Sequence, residues 1–124
     1  MPDRKTVFVV DDDRSTLRGV QRLLRQHGFA SVLFDSAEAL RNQRDFSTAF
    51  CIVLDINLKD ESGIELRQQL KASGVSLPVI YITGNDSHAT RTAAIESGCI
   101  AYLTKPFRAQ SLIEPIEKAS ASMA

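Results

Sequence analysis

The strongest constraint on this chain is a repeated pattern: a strand-length apolar run that breaks off at a polar residue able to handle charge. Val7-Phe8-Val9-Val10, three of them β-branched, ends at Asp11-Asp12-Asp13. Cys51-Ile52-Val53-Leu54 ends at Asp55, Val79-Ile80-Tyr81-Ile82 at Thr83, and Ile100-Ala101-Tyr102-Leu103 at Thr104-Lys105. Continuous apolar runs of this kind are strands buried on both faces, as in parallel sheets. Three neighbouring carboxylates at the end of one are costly. At ~5 Å and an effective dielectric of ~20, each pair repels by about 3 kcal/mol. A sequence that places them on a rigid element needs a cation there.

Helical signals fall between the runs. Leu17, Val20 and Leu24 recur at helical spacing up to Gly28, a C-cap residue by type. Val32-Leu33-Phe34 reads as a short second strand, and Asp35 with Glu38 as the N-terminal signature of a second helix through Leu40. The third strand runs from Ala49 to Leu54. Ser62 with Glu65 opens a helix carried by Ile64, Leu66 and Leu70 to Gly74. Pro78 introduces the fourth strand. Ala89, Ala93, Ala94 and Ile95 mark a fourth helix ending at Gly98, and Leu112, Ile116 and Ala119 a last one.

Strictly alternating strands and helices predict an α/β fold, a parallel sheet with helices on both faces. Strand 1 must be central, and the order 2-1-3-4-5 satisfies that. In such doubly wound sheets the ligand site lies beyond the carboxyl ends of the strands, where the winding reverses. Here the reversal falls between strands 1 and 3. It would bring Asp11, Asp12 and Asp55 together, with Thr83 and Lys105 at the neighbouring strand ends.

Composition narrows the function. At 124 residues the chain reads as one domain, 1–124, and 44% hydrophobic residues suit a packed core. Fifteen acidic and fifteen basic residues cancel, which argues against nucleic-acid binding. No apolar stretch approaches the ~20 residues of a membrane span, and Met1-Pro2-Asp3-Arg4-Lys5 leads into a strand, not a signal peptide. A cytoplasmic location is expected. Cys51 and Cys99, at the starts of predicted strands, read as small buried hydrophobes. Their strands would be separated by a third, about 10 Å apart, too far for a disulfide.

Asp11, Asp12 and Asp55 form a hard, oxygen-rich donor set of the type magnesium prefers, completed by water and phosphate oxygens. Lys105 adds the positive charge a developing phosphoryl group requires, Thr83 a hydroxyl donor. A carboxylate can itself attack phosphorus, giving an aspartyl phosphate.

The stretches VFVVDDDRSTL, VLDINLKDESG, PVIYITGN and AYLTKPF together resemble the receiver domain of bacterial two-component response regulators, over essentially the whole chain. The resemblance implies a flavodoxin-like (βα)5 fold and a phosphorelay role. Asp55 would be the phosphoacceptor. Asp12, Asp55 and the backbone carbonyl of Asn57 would bind Mg²⁺ (Mn²⁺ substituting), with Asp11 acting largely through water. Lys105 would pair with Asp55 and then with the phosphoryl group, and Lys105-Pro106 would be a cis peptide. Thr83 would move towards the phosphoryl oxygen, and Tyr102 would change rotamer with it. The donor would be a histidine kinase or a histidine phosphotransfer protein. The output would be a switch in the helix 4–strand 5–helix 5 face, a homodimerisation surface in the family. No turnover of an external substrate is implied.

Three positions depart from the family pattern. Lys59 stands where proline is usual, implying a looser loop or an extra cation near the site. Gly84 after Thr83 resembles the subgroup of nitrogen-fixation regulators and keeps the phosphoryl group accessible. Pro115 falls inside the last helix and should kink it, at about 3 kcal/mol if uncompensated. Asp13 reads as the N-cap of helix 1, with a contribution to metal affinity as the alternative. Arg14, Arg18, Arg22 and Arg25 form a stripe on that helix, either solvated or a docking face for an acidic kinase or phosphotransfer partner. His27 and His88 read as exposed. The rival function is a haloacid-dehalogenase-like, Mg-dependent phosphatase with Asp11 as nucleophile, since Asp11-Asp12-Asp13-Arg14-Ser15 approximates its first motif.

Overall fold

The computed structural model describes residues 6–122. The reading of Met1–Lys5 and the end of the C-terminal tail, Met123-Ala124, lie outside the described residues. The elements run β1 (Thr6–Val10), α1 (Arg14–Gln26), β2 (Ala30–Phe34), α2 (Ala37–Arg41), β3 (Ala49–Asp55), α3 (Gly63–Ala72), β4 (Val79–Thr83), α4 (His88–Glu96), β5 (Ala101–Thr104) and α5 (Ala109–Ala121). The five strands are parallel in the order β2-β1-β3-β4-β5, as expected.

Side-chain alternation divides the core in two. Phe8 and Val10 of β1 point to the face covered by Ala37 and Leu40 of α2, Leu66 and Leu70 of α3 and Ala94 of α4. Val7 and Val9 point to the face covered by Leu17, Val20 and Leu24 of α1 and Leu112, Ile113 and Ile116 of α5. This is the period-2 rule applied to a strand buried on both sides. β3 and β4 are buried throughout, whereas the edge strands β2 and β5 are only partly covered.

The helix ends follow local chemistry. Asp13 is the N-cap of α1, its carboxylate accepting from the Ser15 N–H. Ser62 caps α3 through the Ile64 N–H. Gly28 and Gly74, at φ 84° and 94°, take the left-handed conformation that lets the chain leave α1 and α3, a position that strains any residue with a Cβ. α2 corrects the sequence reading: its N-cap is Ser36, not Asp35. Serine and aspartate are both good caps, and only the backbone geometry decides which one reaches the Ala39 N–H.

α5 holds Pro115 in its interior, as the sequence reading has it. It continues through Pro115 to Ala121. The carbonyl that loses its donor belongs to Ser111, an exposed residue where water can replace the bond. Cys51, the third residue of β3, is buried as expected, whereas Cys99, just before β5, is only half-buried; both are free. His27 and His88 are exposed, as expected.

Candidate functional site

Strand register assembles the site. Val10 pairs with Leu54, so the next residues, Asp11 and Asp55, emerge side by side at the carboxyl ends of β1 and β3. Asp55 pairs with Ile82, placing Thr83 one residue further on β4. Thr83 pairs with Thr104, and the Lys105 N–H donates to the Thr83 carbonyl at 2.8 Å. Lys105-Pro106 is cis. From there the Lys105 ammonium reaches back across the edge, donating to Asp11 Oδ2 at 2.8 Å and to Asp55 Oδ2 at 3.1 Å.

Each carboxylate is fixed by a backbone donor. The Asp13 N–H donates to Asp11 Oδ1 (2.9 Å), the Asn57 N–H to Asp55 Oδ1 (2.9 Å) and the Lys59 N–H to Asp12 Oδ2 (3.0 Å). The first two are aspartate side chains bonding their own backbone two residues on, a geometry this residue type favours. The third explains what Lys59 does. Proline, with no N–H, could not make it, so the departure gives Asp12 a donor; among the described residues the Lys59 side chain forms no ion pair with the three acids.

One carboxylate oxygen from each of Asp11, Asp12 and Asp55 lies within 4.8 Å of the others. Asp11 is fully buried and Asp55 nearly so. Three carboxylates against one ammonium leave an excess of two negative charges, and all the donors are hard oxygens. The residues therefore fit a magnesium-like divalent cation. Burial pushes the Asp11 carboxyl above its ordinary value; the Lys105 and Asp13 hydrogen bonds pull it down, and the Asp55 charge pushes it up again. Burial disfavours the Lys105 ammonium, but Asp11 and Asp55 together outweigh it and hold its pKa above 10.5.

Several contacts at the site are not legible in the sequence. The Thr83 hydroxyl donates to Asn57 Oδ1 at 2.5 Å and accepts from the Asn85 N–H at 3.0 Å. The family resemblance gives Asn57 a role only through its backbone. The Asp60 carboxylate accepts from the Ala37 and Glu38 N–H groups at 3.3 and 3.2 Å, and Glu61 pairs with Arg41, so the loop after Asp55 is tied to α2. Gly63 begins α3 so close to β3 that a Cβ there would lie 2.3 Å from the Asp55 carbonyl oxygen. Nothing larger than glycine fits. A glycine after a loop is the sequence signal, but many glycines have no such role.

Tyr102 is further from the acids. Its hydroxyl donates to Asp86 Oδ1 at 2.7 Å, Asp86 Oδ2 pairs with Arg91 at 2.7 Å, and the Arg91 guanidinium lies 5.2 Å from the centre of the Tyr102 ring. Asp13 stays with α1, bonding Ser15 and Thr16, and lies outside the three-carboxylate cluster. The arginines of α1 are all exposed, and Arg14 and Arg18 border a shallow groove with Leu33 and Phe34.

Comparison with known proteins gives the class. The sequence profile of the response regulator receiver domain matches residues 7–117. The response regulator protein TodT of Pseudomonas putida is 33% identical over 120 residues, covering 96% of this chain and 53% of TodT. The transcriptional regulatory protein FixJ of Rhizobium meliloti is 32% identical over 115 residues, covering 93% of this chain and 56% of FixJ. The crystal structure of FixJ-N superposes with a TM-score of 0.82 at 31% identity, covering 100% of this chain and 98% of that one. The chain belongs to the response regulator receiver domain family and is a phosphoacceptor receiver domain. It spans about half the length of these curated relatives. The phosphatase alternative centred on Asp11 gains no support from them.

Proposed function

We propose that Asp55 is the phosphoacceptor and that a histidine kinase or histidine phosphotransfer protein is the donor. The observation that carries this is the Asp55 carboxylate at the meeting point of the site, 3.1 Å from the Lys105 ammonium and clustered with Asp11 and Asp12. An Asp55 oxygen attacks phosphorus as the P–N bond of the donor breaks, and the imidazole leaves with a proton. The Asn57 N–H holds the other Asp55 oxygen, orienting the attack, while Lys105 is placed to meet the charge of the phosphoryl oxygens. Asp12, Asp55 and the Asn57 carbonyl would hold Mg²⁺ or Mn²⁺, with Asp11 acting largely through water. The ion supplies positive charge for the phosphoryl oxygens and offsets the acidic excess.

The acyl phosphate adds about −1.5 to −2 charge beside carboxylates that already repel. Thr83 then turns its hydroxyl to the phosphoryl oxygen, Tyr102 changes rotamer, and the α4–β5–α5 face shifts between two populated arrangements. α4 suits that part, since it buries one side chain, Ala94, among its described residues. Ile95 on α4 is 61% exposed and Ile100 before β5 is 46% exposed, two apolar side chains that a homodimer or an output partner could cover. The reaction ends with hydrolysis of the protein's own acyl phosphate and turns over no external substrate. The setting is the cytoplasm, and this domain binds no nucleic acid, in keeping with its balanced charge. Among the described residues no helix is long and apolar enough to cross a membrane.

Acetyl phosphate with Mg²⁺, read by intact mass, tests this. The parent should gain one phosphoryl group and Asp55→Asn none. A phosphoryl group found on Asp11 would return the phosphatase alternative.

A further inference from the structure

We propose that the Asn57 side chain is the resting-state lock on Thr83, a positioning residue that must release the Thr83 hydroxyl before the switch can turn. A threonine hydroxyl has a single proton to donate. Here it goes to Asn57 Oδ1 at 2.5 Å, while the oxygen accepts from the Asn85 N–H. Thr83 is fully buried, so its hydroxyl is committed to these two partners. Donation to Asn57 and donation to a group on Asp55 exclude one another.

Asn57 is also the residue whose own N–H holds Asp55 Oδ1 at 2.9 Å. One residue therefore touches the acceptor carboxylate through its backbone and the switch hydroxyl through its side chain. A group attached to Asp55 competes with the Asn57 amide for the same proton, and its occupancy is read directly as loss of the Thr83–Asn57 bond. Asn57 lies in the β3–α3 loop with its backbone bridged to Ser62, and it is exposed, so its side chain alone can turn away once the bond is broken.

The lock rests on the proposal that Asp55 is the acceptor, but it can be read without it. In the unphosphorylated, Mg²⁺-free protein, three-bond couplings from the Thr83 methyl carbon to its backbone nitrogen and carbonyl report the Thr83 rotamer. The parent should show one rotamer and Asn57→Ala an average of several. Asn57→Asp, which keeps an acceptor oxygen, should restore the single rotamer. Beryllofluoride with Mg²⁺ then tests the coupling. Removing a bond of ordinary net strength should tighten its binding to Asn57→Ala by about fivefold, and the gain should vanish in a Thr83→Val background. An unchanged Thr83 rotamer in Asn57→Ala overturns the lock, as does a fivefold gain that persists without the Thr83 hydroxyl. Failure of the parent to bind beryllofluoride at all would instead remove Asp55 as acceptor, leaving the rotamer result to decide the lock.

Discussion

Tyr102 shows how a single side chain on the proposed switching face is held. Its phenol is pushed up to about 12, by burial first and then by the Asp86 hydrogen bond and charge. A pKa raised in the folded state contributes stability that is complete below the ordinary phenol value of 10 and disappears as pH rises through about 12. Burial also raises the other tyrosine, Tyr81, and the chain has no tryptophan, so phenolate absorbance reads both cleanly. Neither should ionise near pH 10, and Asp86→Asn should bring Tyr102 down while leaving Tyr81 unmoved. A Tyr102 that titrates near 10 in the parent would show that the Asp86 contact is not held in solution. The acidic side of the contact follows the opposite rule. Tyr102 and Arg91 hold Asp86 below its ordinary 3.8, so that contribution is present above 3.8 and lost as pH falls through the lower folded value. Asp86 and Arg91 had drawn no attention in the sequence, because charged residues on exposed helix starts are ordinary. Only the turn of β4 into α4 places them against Tyr102.

Among the elements, α2 is the one that needs outside help. Five residues cannot nucleate a stable helix in isolation. Its first N–H groups are instead taken up one by one: Ala37 and Glu38 by Asp60, Ala39 by Ser36. Asp60→Ala should cost about 1 kcal/mol, the usual loss for a helix cap, and should speed amide exchange at Ala37 and Glu38 before it affects the β3 amides. Uniform acceleration across the sheet would show that Asp60 supports the whole fold and not α2 alone. The pattern makes the second helix legible, but it does not decide whether Asp35 or Ser36 caps it, nor does it carry the dependence on Asp60. Asp60 lies 23 residues from Ala37 in sequence, and no local periodicity encodes such a partner. Pro115 is a case where exposure matters. A rule about helix interiors puts the cost of such a proline at about 3 kcal/mol if uncompensated, and the exposure of Ser111 lets water replace the bond its carbonyl loses.

At the scale of the molecule, stability and function compete at one sheet edge. Three carboxylates brought within 4.8 Å and offset by a single ammonium strain the fold. Asp12 is the partly exposed member, and an amide there can still accept from the Lys59 N–H. With solvent screening the relief in Asp12→Asn should be about 1 kcal/mol, or roughly 4 °C in Tm for a chain of this size, measured without Mg²⁺. For the parent, Mg²⁺ at a hundred times its Kd should add about 2.7 kcal/mol; Asp12→Asn should gain much less. A variant no more stable than the parent in the absence of Mg²⁺ would show that the acids do not strain the edge.

The alternation of apolar runs and helical faces determined, by itself, the α/β class, the strand order and the convergence of Asp11, Asp12, Asp55, Thr83 and Lys105. Strand burial and crossover rules act on residue type and spacing, which a sequence displays in full. The fine hydrogen bonding was decided only in three dimensions: Asn57 on Thr83, the Lys59 N–H on Asp12, Asp60 on α2, and Gly63 against the Asp55 carbonyl. Each depends on an atom of one loop coming within bonding or contact distance of another. Distances of that order are set by how whole elements pack, and residue identity alone does not carry them.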